Sequence, residues 1–149
     1  MRLTTMTDYA MRLLMYVAHH PDRLCTIAEI AEAYGVSEAH LMKVTHELGV
    51  AGFIETVRGK GGGMRLAVPP AAISLGAVVR AIEPDFALVE CFGNGNRCAL
   101  TEYCRLANIF SGALEGFLAH LDRHTLGDLV PDLRVPRVAR ATASRPRVQ

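Results

Sequence analysis

Residues 26–68 read TIAEIAEAYGVSEAHLMKVTHELGVAGFIETVRGKGGGMRLAV, and the order of elements within them decides the fold. Thr26 followed by Glu29 has the spacing of a capping box, and Ile27, Ile30, Ala31 and Tyr34 form an apolar face that stops at Gly35. Ser37, two residues later, opens a second helix. Its inward positions are Leu41, Val44 and Leu48, which leaves Ala39, Lys43 and His46 on the opposite side. Two short helices joined by a Gly-containing turn predict a helix-turn-helix, whose second helix is narrow enough for the major groove of DNA. Phe53–Val57 and Met64–Val68 are short runs of β-formers on either side of Arg58-Gly59-Lys60-Gly61-Gly62-Gly63. They predict a hairpin with a cationic, glycine-rich tip, a wing that brings backbone close to DNA while Arg58 and Lys60 meet phosphates or the minor-groove floor. A loop cradling a nucleotide phosphate is the weaker reading, because no Gly-Lys-Ser/Thr sequence opens a helix here.

Upstream of this stretch, Ala10, Leu13, Leu14, Val17 and Ala18 recur at helical spacing after Thr7, taken as the N-cap, and Pro21 ends the pattern. Downstream, Pro69 and Pro70 close the wing, and Ala77, Val78, Ala81 and Ile82 predict a short helix ending before Pro84. A long helix follows from about Thr101 to Asp122. Leu106, Ile109, Phe110, Ala113, Leu114, Phe117, Leu118 and Leu121 give it an apolar stripe about five turns long. A second copy of the same helix is the natural cover for such a stripe and implies a twofold dimer. The expected fold is mainly α with a small β-hairpin, a winged helix-turn-helix plus a long dimerisation helix. The expected divisions are a DNA-binding domain over 1–83 with its wing at about 53–68, a ligand-binding loop over 84–104, a dimerisation helix and closing segment over 101–130, and a basic tail over 131–149.

Half of the 149 residues are apolar and 21% are charged, so the chain has enough apolar surface to fold. No apolar run approaches the roughly 20 residues a bilayer requires, and the start of the chain lacks the pattern of a secretory signal. A cytoplasmic protein without membrane contact is expected. The net charge of +1 is uninformative as a total, but Arg134, Arg137, Arg140, Arg145 and Arg147 face the single acid Asp132 in the tail, which reads as a solvated basic end.

Three of the four cysteines, Cys91, Cys98 and Cys104, lie in one glycine- and asparagine-rich stretch with the spacing C-x6-C-x5-C. In a reducing compartment this grouping points to metal or redox chemistry rather than structural disulfides. Zinc ordinarily takes closely paired cysteines and a fourth Cys or His nearby, and no histidine occurs between His46 and His120. Wide spacing with three soft thiolates suits an iron–sulfur cluster, with zinc and a thiol switch as the other readings. Cys25 stands apart among apolar neighbours and reads as a small buried hydrophobe.

With these residues in view, the chain resembles the winged-helix iron–sulfur transcription regulators, the family that contains NsrR and IscR. The resemblance covers residues 1 to 130. It is carried by Met1-Arg2-Leu3-Thr4, Thr7-Asp8-Tyr9-Ala10, the helix-turn-helix, Val57-Arg58-Gly59-Lys60-Gly61-Gly62-Gly63, the three-cysteine loop and Thr125-Leu126-Gly127-Asp128-Leu129-Val130. The IscR branch places a histidine three residues after the last cysteine, where this chain has Ala107; the branch of nitric-oxide-sensitive repressors places an aspartate at the position of Asp8. The first Cys-to-Cys interval is slightly longer than the commonest family spacing.

The resemblance implies a homodimeric repressor that reads an inverted-repeat operator. It implies a cluster, 4Fe-4S with 2Fe-2S as the alternative, held by Cys91, Cys98, Cys104 and Asp8, and nitric oxide as effector. The DNA-facing set is Arg2, Ser37, His40, Lys43, Arg58, Gly59 and Lys60, with Ser37 also capping its helix. Two alternatives accompany this reading: an iron-, redox- or cluster-responsive regulator of the IscR type, and a cluster-bearing redox enzyme. No nucleotide fingerprint, hydrolase arrangement or second cluster motif supports the enzyme.

Overall fold

The computed structural model describes residues 2–132; the basic tail beyond residue 132 lies outside them. Helix α1 spans Thr5–His19, α2 Ile27–Tyr34 and α3 Glu38–Val50. Strands β1, Ile54–Val57, and β2, Gly63–Leu66, follow, and then α4, Leu75–Ile82, α5, Arg105–Asp122, and the short α6, Leu126–Leu129. The expected mostly helical architecture with one small hairpin is what the chain adopts.

The expected apolar faces of the first three helices meet in one core. Ala10, Leu13, Leu14 and Val17 of α1, Ile30 of α2, and Leu41, Val44 and Leu48 of α3 are buried, joined by Ile54, Met64, Ile73, Val78 and Leu126. Between α2 and α3, Gly35 adopts φ 63, the left-handed conformation that turns the chain at a helix C-terminus. The strands pair antiparallel with Ile54 opposite Leu66 and Val57 opposite Gly63.

A third segment joins the hairpin. Cys25 and Met64 exchange backbone hydrogen bonds, N–H to C=O, at 2.9 and 2.7 Å, so the wing is tied to the chain just before α2. A side chain at position 63 would put its Cβ 2.6 Å from the Cys25 carbonyl oxygen, which is why glycine stands there. Cys25 is fully buried, as the sequence suggests, and burial pushes its thiol up to about 11.

Local details depart from the sequence reading where side-chain hydrogen bonds intervene. Thr4, not Thr7, caps α1; Thr7 is buried within the first turn and donates its backbone N–H to the Thr4 hydroxyl. Thr26 does cap α2, and the Glu29 carboxylate accepts from Arg23 at 2.6 Å and from the Thr26 hydroxyl. In α4 the buried residues include Val79, while Ala81 is exposed. Helix α5 starts at Arg105 and not at Thr101, because the Thr101 hydroxyl and N–H both donate to the Cys98 carbonyl and hold a turn.

No residue of α5 is buried. Leu106 is 55% and Ile109 66% exposed, so the predicted stripe lacks a full cover within the chain. The C-terminal end of α5 is nevertheless fixed to the winged unit. Arg80 on α4 makes a bidentate pair with Asp122, and Leu126 enters the core behind the Ser74–Thr125 bridge.

Candidate nucleic-acid interface and cysteine segment

Helix α3 turns Leu41, Val44 and Leu48 inward at helical spacing, and this fixes what it shows outward. Ser37, His40, Met42, Lys43 and His46 are all exposed. Ser37 occupies the N-cap position, but its hydroxyl makes no capping hydrogen bond, contrary to the expectation that it caps α3. The His40 ring lies against Tyr9 of α1, with centroids 6.2 Å apart.

The wing tip presents Arg58, Gly59 and Lys60 to solvent. Lys43, Arg58 and Lys60 form no ion pair with any described residue, whereas Arg65 on β2 is neutralised by Glu55 across the ladder at 3.0 Å. Unpaired cations on the helix and the tip leave a field suited to phosphates. Arg2 is placed differently. It lines a groove of about 800 Å³ with Glu83, Phe86, Phe110, Leu114 and Phe117, and no α3 or wing residue lines that groove.

Cys91 sits in a short 3-10 turn, Glu90–Phe92, and Cys104 is the N-cap residue of α5; both are half-buried, and Cys98 between them is exposed. None of the three is in a disulfide. The loop is held by its own bonds: the Cys98 N–H donates to Asn96 Oδ1 at 2.9 Å, Asn96 Nδ2 donates to the Thr101 hydroxyl at 2.8 Å, and the Arg97 N–H donates to Glu90 at 3.2 Å. Asp8, on the first turn of α1, is exposed and pairs with Arg12 at 2.9 Å.

Among the described residues, no three His, Cys, Asp or Glu side chains converge on a point where a metal would sit. One chain alone therefore brings the thiols into one segment but does not assemble them with Asp8. The donor set itself fits a soft, multi-iron ligand: three free thiols within one loop, one of them at the N-terminus of α5, where uncapped N–H groups favour negative charge.

A helix-turn-helix with an outward polar face, followed by a wing bearing free cations, defines a winged-helix DNA-binding regulator. The chain belongs to the Rrf2 family, whose model, described as an iron-dependent transcriptional regulator, matches residues 3–132. It is 48% identical over 132 residues to the HTH-type transcriptional regulator NsrR of Bacillus subtilis, covering 87% of this chain and 90% of that protein. To the protein of the same name from Geobacillus kaustophilus it is 49% identical over 134 residues, 89% and 91% of the two chains. Among solved structures it superposes on T. potens IscR with a TM-score of 0.71 at 24% identity, covering 93% of each chain. It superposes on CymR, the global cysteine regulator of B. subtilis, with a TM-score of 0.68 at 23% identity, covering 90% of this chain and 99% of that one. The chain is a transcription regulator and not an enzyme. Among the described residues no helix is long and apolar enough to cross a membrane.

Proposed function

We propose that the chain is a homodimeric, cytoplasmic transcriptional repressor that senses nitric oxide through an iron–sulfur cluster. One observation carries the reading: three unpaired thiols occupy the single segment that joins the DNA-reading unit to a helix whose apolar stripe is only partly covered within the chain. The likeness to proteins named NsrR supports it. Residues 1–83 read DNA, 84–104 hold the cluster, and 101–130 pair two copies.

Cys91, Cys98, Cys104 and Asp8 are the residues that would hold the cluster, 4Fe-4S in preference to 2Fe-2S, with Asp8 supplied by the same chain or by its partner. The bound cluster supplies iron that reacts with nitric oxide. Asp8 is a hard carboxylate among soft thiolates, so it is the ligand most readily exchanged. It precedes Tyr9, which lies against His40, so a change in what Asp8 holds reaches the recognition helix through one residue. Ser37, with its hydroxyl free, meets phosphate; His40 and Lys43 meet base edges or backbone; and Arg58, Gly59 and Lys60 hold the flanking groove. Two such units related by a dyad read half-sites about 34 Å apart or a multiple of it.

The test is anaerobic purification followed by nitric oxide titration of the brown protein on an inverted-repeat duplex. Stoichiometric release of the duplex is expected; release by oxygen or iron chelation alone, with no response to nitric oxide, would assign the chain to another signal. Lys60→Ala should weaken binding to all duplexes alike and reduce the slope of log affinity against log salt by about 1, as one phosphate contact is lost. A loss confined to one operator sequence would instead place Lys60 on a base edge.

A further inference from the structure

Helix α1 begins without the Glu or Gln at its third position that completes a capping box, and a carboxylate from far along the chain takes its place. The Thr4 hydroxyl accepts from the Thr7 N–H at 3.4 Å. In a capping box the third helical residue is a Glu or Gln that reaches back to the N-cap N–H, but here that residue is Thr7, buried and too short. Glu83, 79 residues from Thr4, supplies the missing acceptor: its Oε1 takes the Thr4 N–H at 2.7 Å and the Thr4 O–H at 3.1 Å. The charge also sits at the positive end of α1.

Glu83 is the C-cap of α4, where the chain leaves the winged unit and enters the segment bearing the three cysteines. From Thr4 it is one turn along α1 to Asp8 and then to Tyr9, whose ring lies against His40 of α3. Beside the direct packing of α4 on α1 and α3, the Glu83 carboxylate thus joins the base of the cysteine segment to the start of the helix that touches the recognition helix. We propose that Glu83 is a positioning residue that transmits displacement of the cysteine segment to α1 and, through Tyr9, to α3. This rests on the reading of the chain as a cluster-controlled regulator.

The test uses the full chain as wild type, Glu83→Ala and Glu83→Gln, with two readouts. The first is amide hydrogen exchange at Thr4 and Asp8 in metal-free protein, which reports the contact itself. The second is the ratio of duplex affinities between cluster-loaded and metal-stripped protein. In Glu83→Ala, exchange at both amides should rise about fivefold or more, and the affinity ratio should fall from about 100 to below about 10. Glu83→Gln keeps an oxygen acceptor and should stay near wild type in both. Faster exchange with an unchanged ratio would reduce Glu83 to a helix cap and overturn the proposal, as would unchanged exchange. A wild-type ratio of one defeats the sensor reading, and the coupling with it, while the exchange data still report the contact separately. Should Glu83→Ala fold poorly, Thr4→Ala removes the hydroxyl bond with Glu83 intact and should lower the ratio in the same direction; no change there would overturn the proposal.

Discussion

Serine in place of Cys91, Cys98 or Cys104 should yield folded protein without iron–sulfur absorbance. Its hold on an inverted-repeat duplex should be about 100-fold weaker than that of the loaded wild type, a differential of about 2.7 kcal/mol. Folding should survive because none of the three side chains is in the core: Cys98 is exposed and the other two are half-buried. Asp8→Ala should differ in kind. It leaves three thiolates, so a cluster still assembles but is lost faster and answers nitric oxide differently. Iron content, the visible spectrum and duplex binding measured on the same preparations decide the matter. Cysteine variants that bind as tightly as loaded wild type would remove the link between metal and operator, and an Asp8→Ala protein identical to wild type would remove Asp8 from the ligand set.

Ile109→Glu should leave the stability of the single chain within about 0.5 kcal/mol, since the side chain is 66% exposed there. In a twofold pair of α5 helices the same substitution buries two like charges near one another, which neither side can solvate. The protein should therefore sediment as a monomer. Each half-site would then be bound on its own, and operator affinity should fall by about 10²- to 10⁴-fold as the second contact loses its effective concentration. A variant that remains dimeric would place the pairing surface elsewhere. Iron retention in the monomer adds a second reading: a cluster less stable than in wild type indicates that Asp8 comes from the partner chain, and an unchanged one indicates that it does not.

The fold was legible because its determinants are periodic and local. Leu13, Leu14, Leu41, Val44 and Leu48 repeat at helical spacing, and all five are buried; the wing was marked by two β-rich runs around a glycine cluster. What the periodic pattern does not report is decided by side-chain hydrogen bonds, one of them to a partner far along the chain. Thr7 looks like a cap because it precedes the apolar pattern, but Glu83 stabilises a start at Thr4, and no local signal reports a partner 79 positions away. The sequence predicts α5 from about Thr101 because Thr101–Tyr103 carry no helix breaker, yet the Thr101 hydroxyl binds the Cys98 carbonyl and holds a turn instead. The cysteine spacing identified the segment, but spacing does not say whether the thiols converge, and within one chain they stand apart from Asp8.

The stitching of Met64 to Cys25 has a consequence for how the signal must be read. Because backbone bonds at 2.7 and 2.9 Å weld the hairpin to the entry of α2, the wing travels with the recognition helix as a single stiff jaw. In the proposed dimer, displacement of α3 carries the wing with it, so each jaw shifts on its stretch of duplex as one piece and the phasing between the two imprints alters. A lone half-site should thus answer the effector less than the paired operator does: the chain works as a caliper whose gap is set by chemistry.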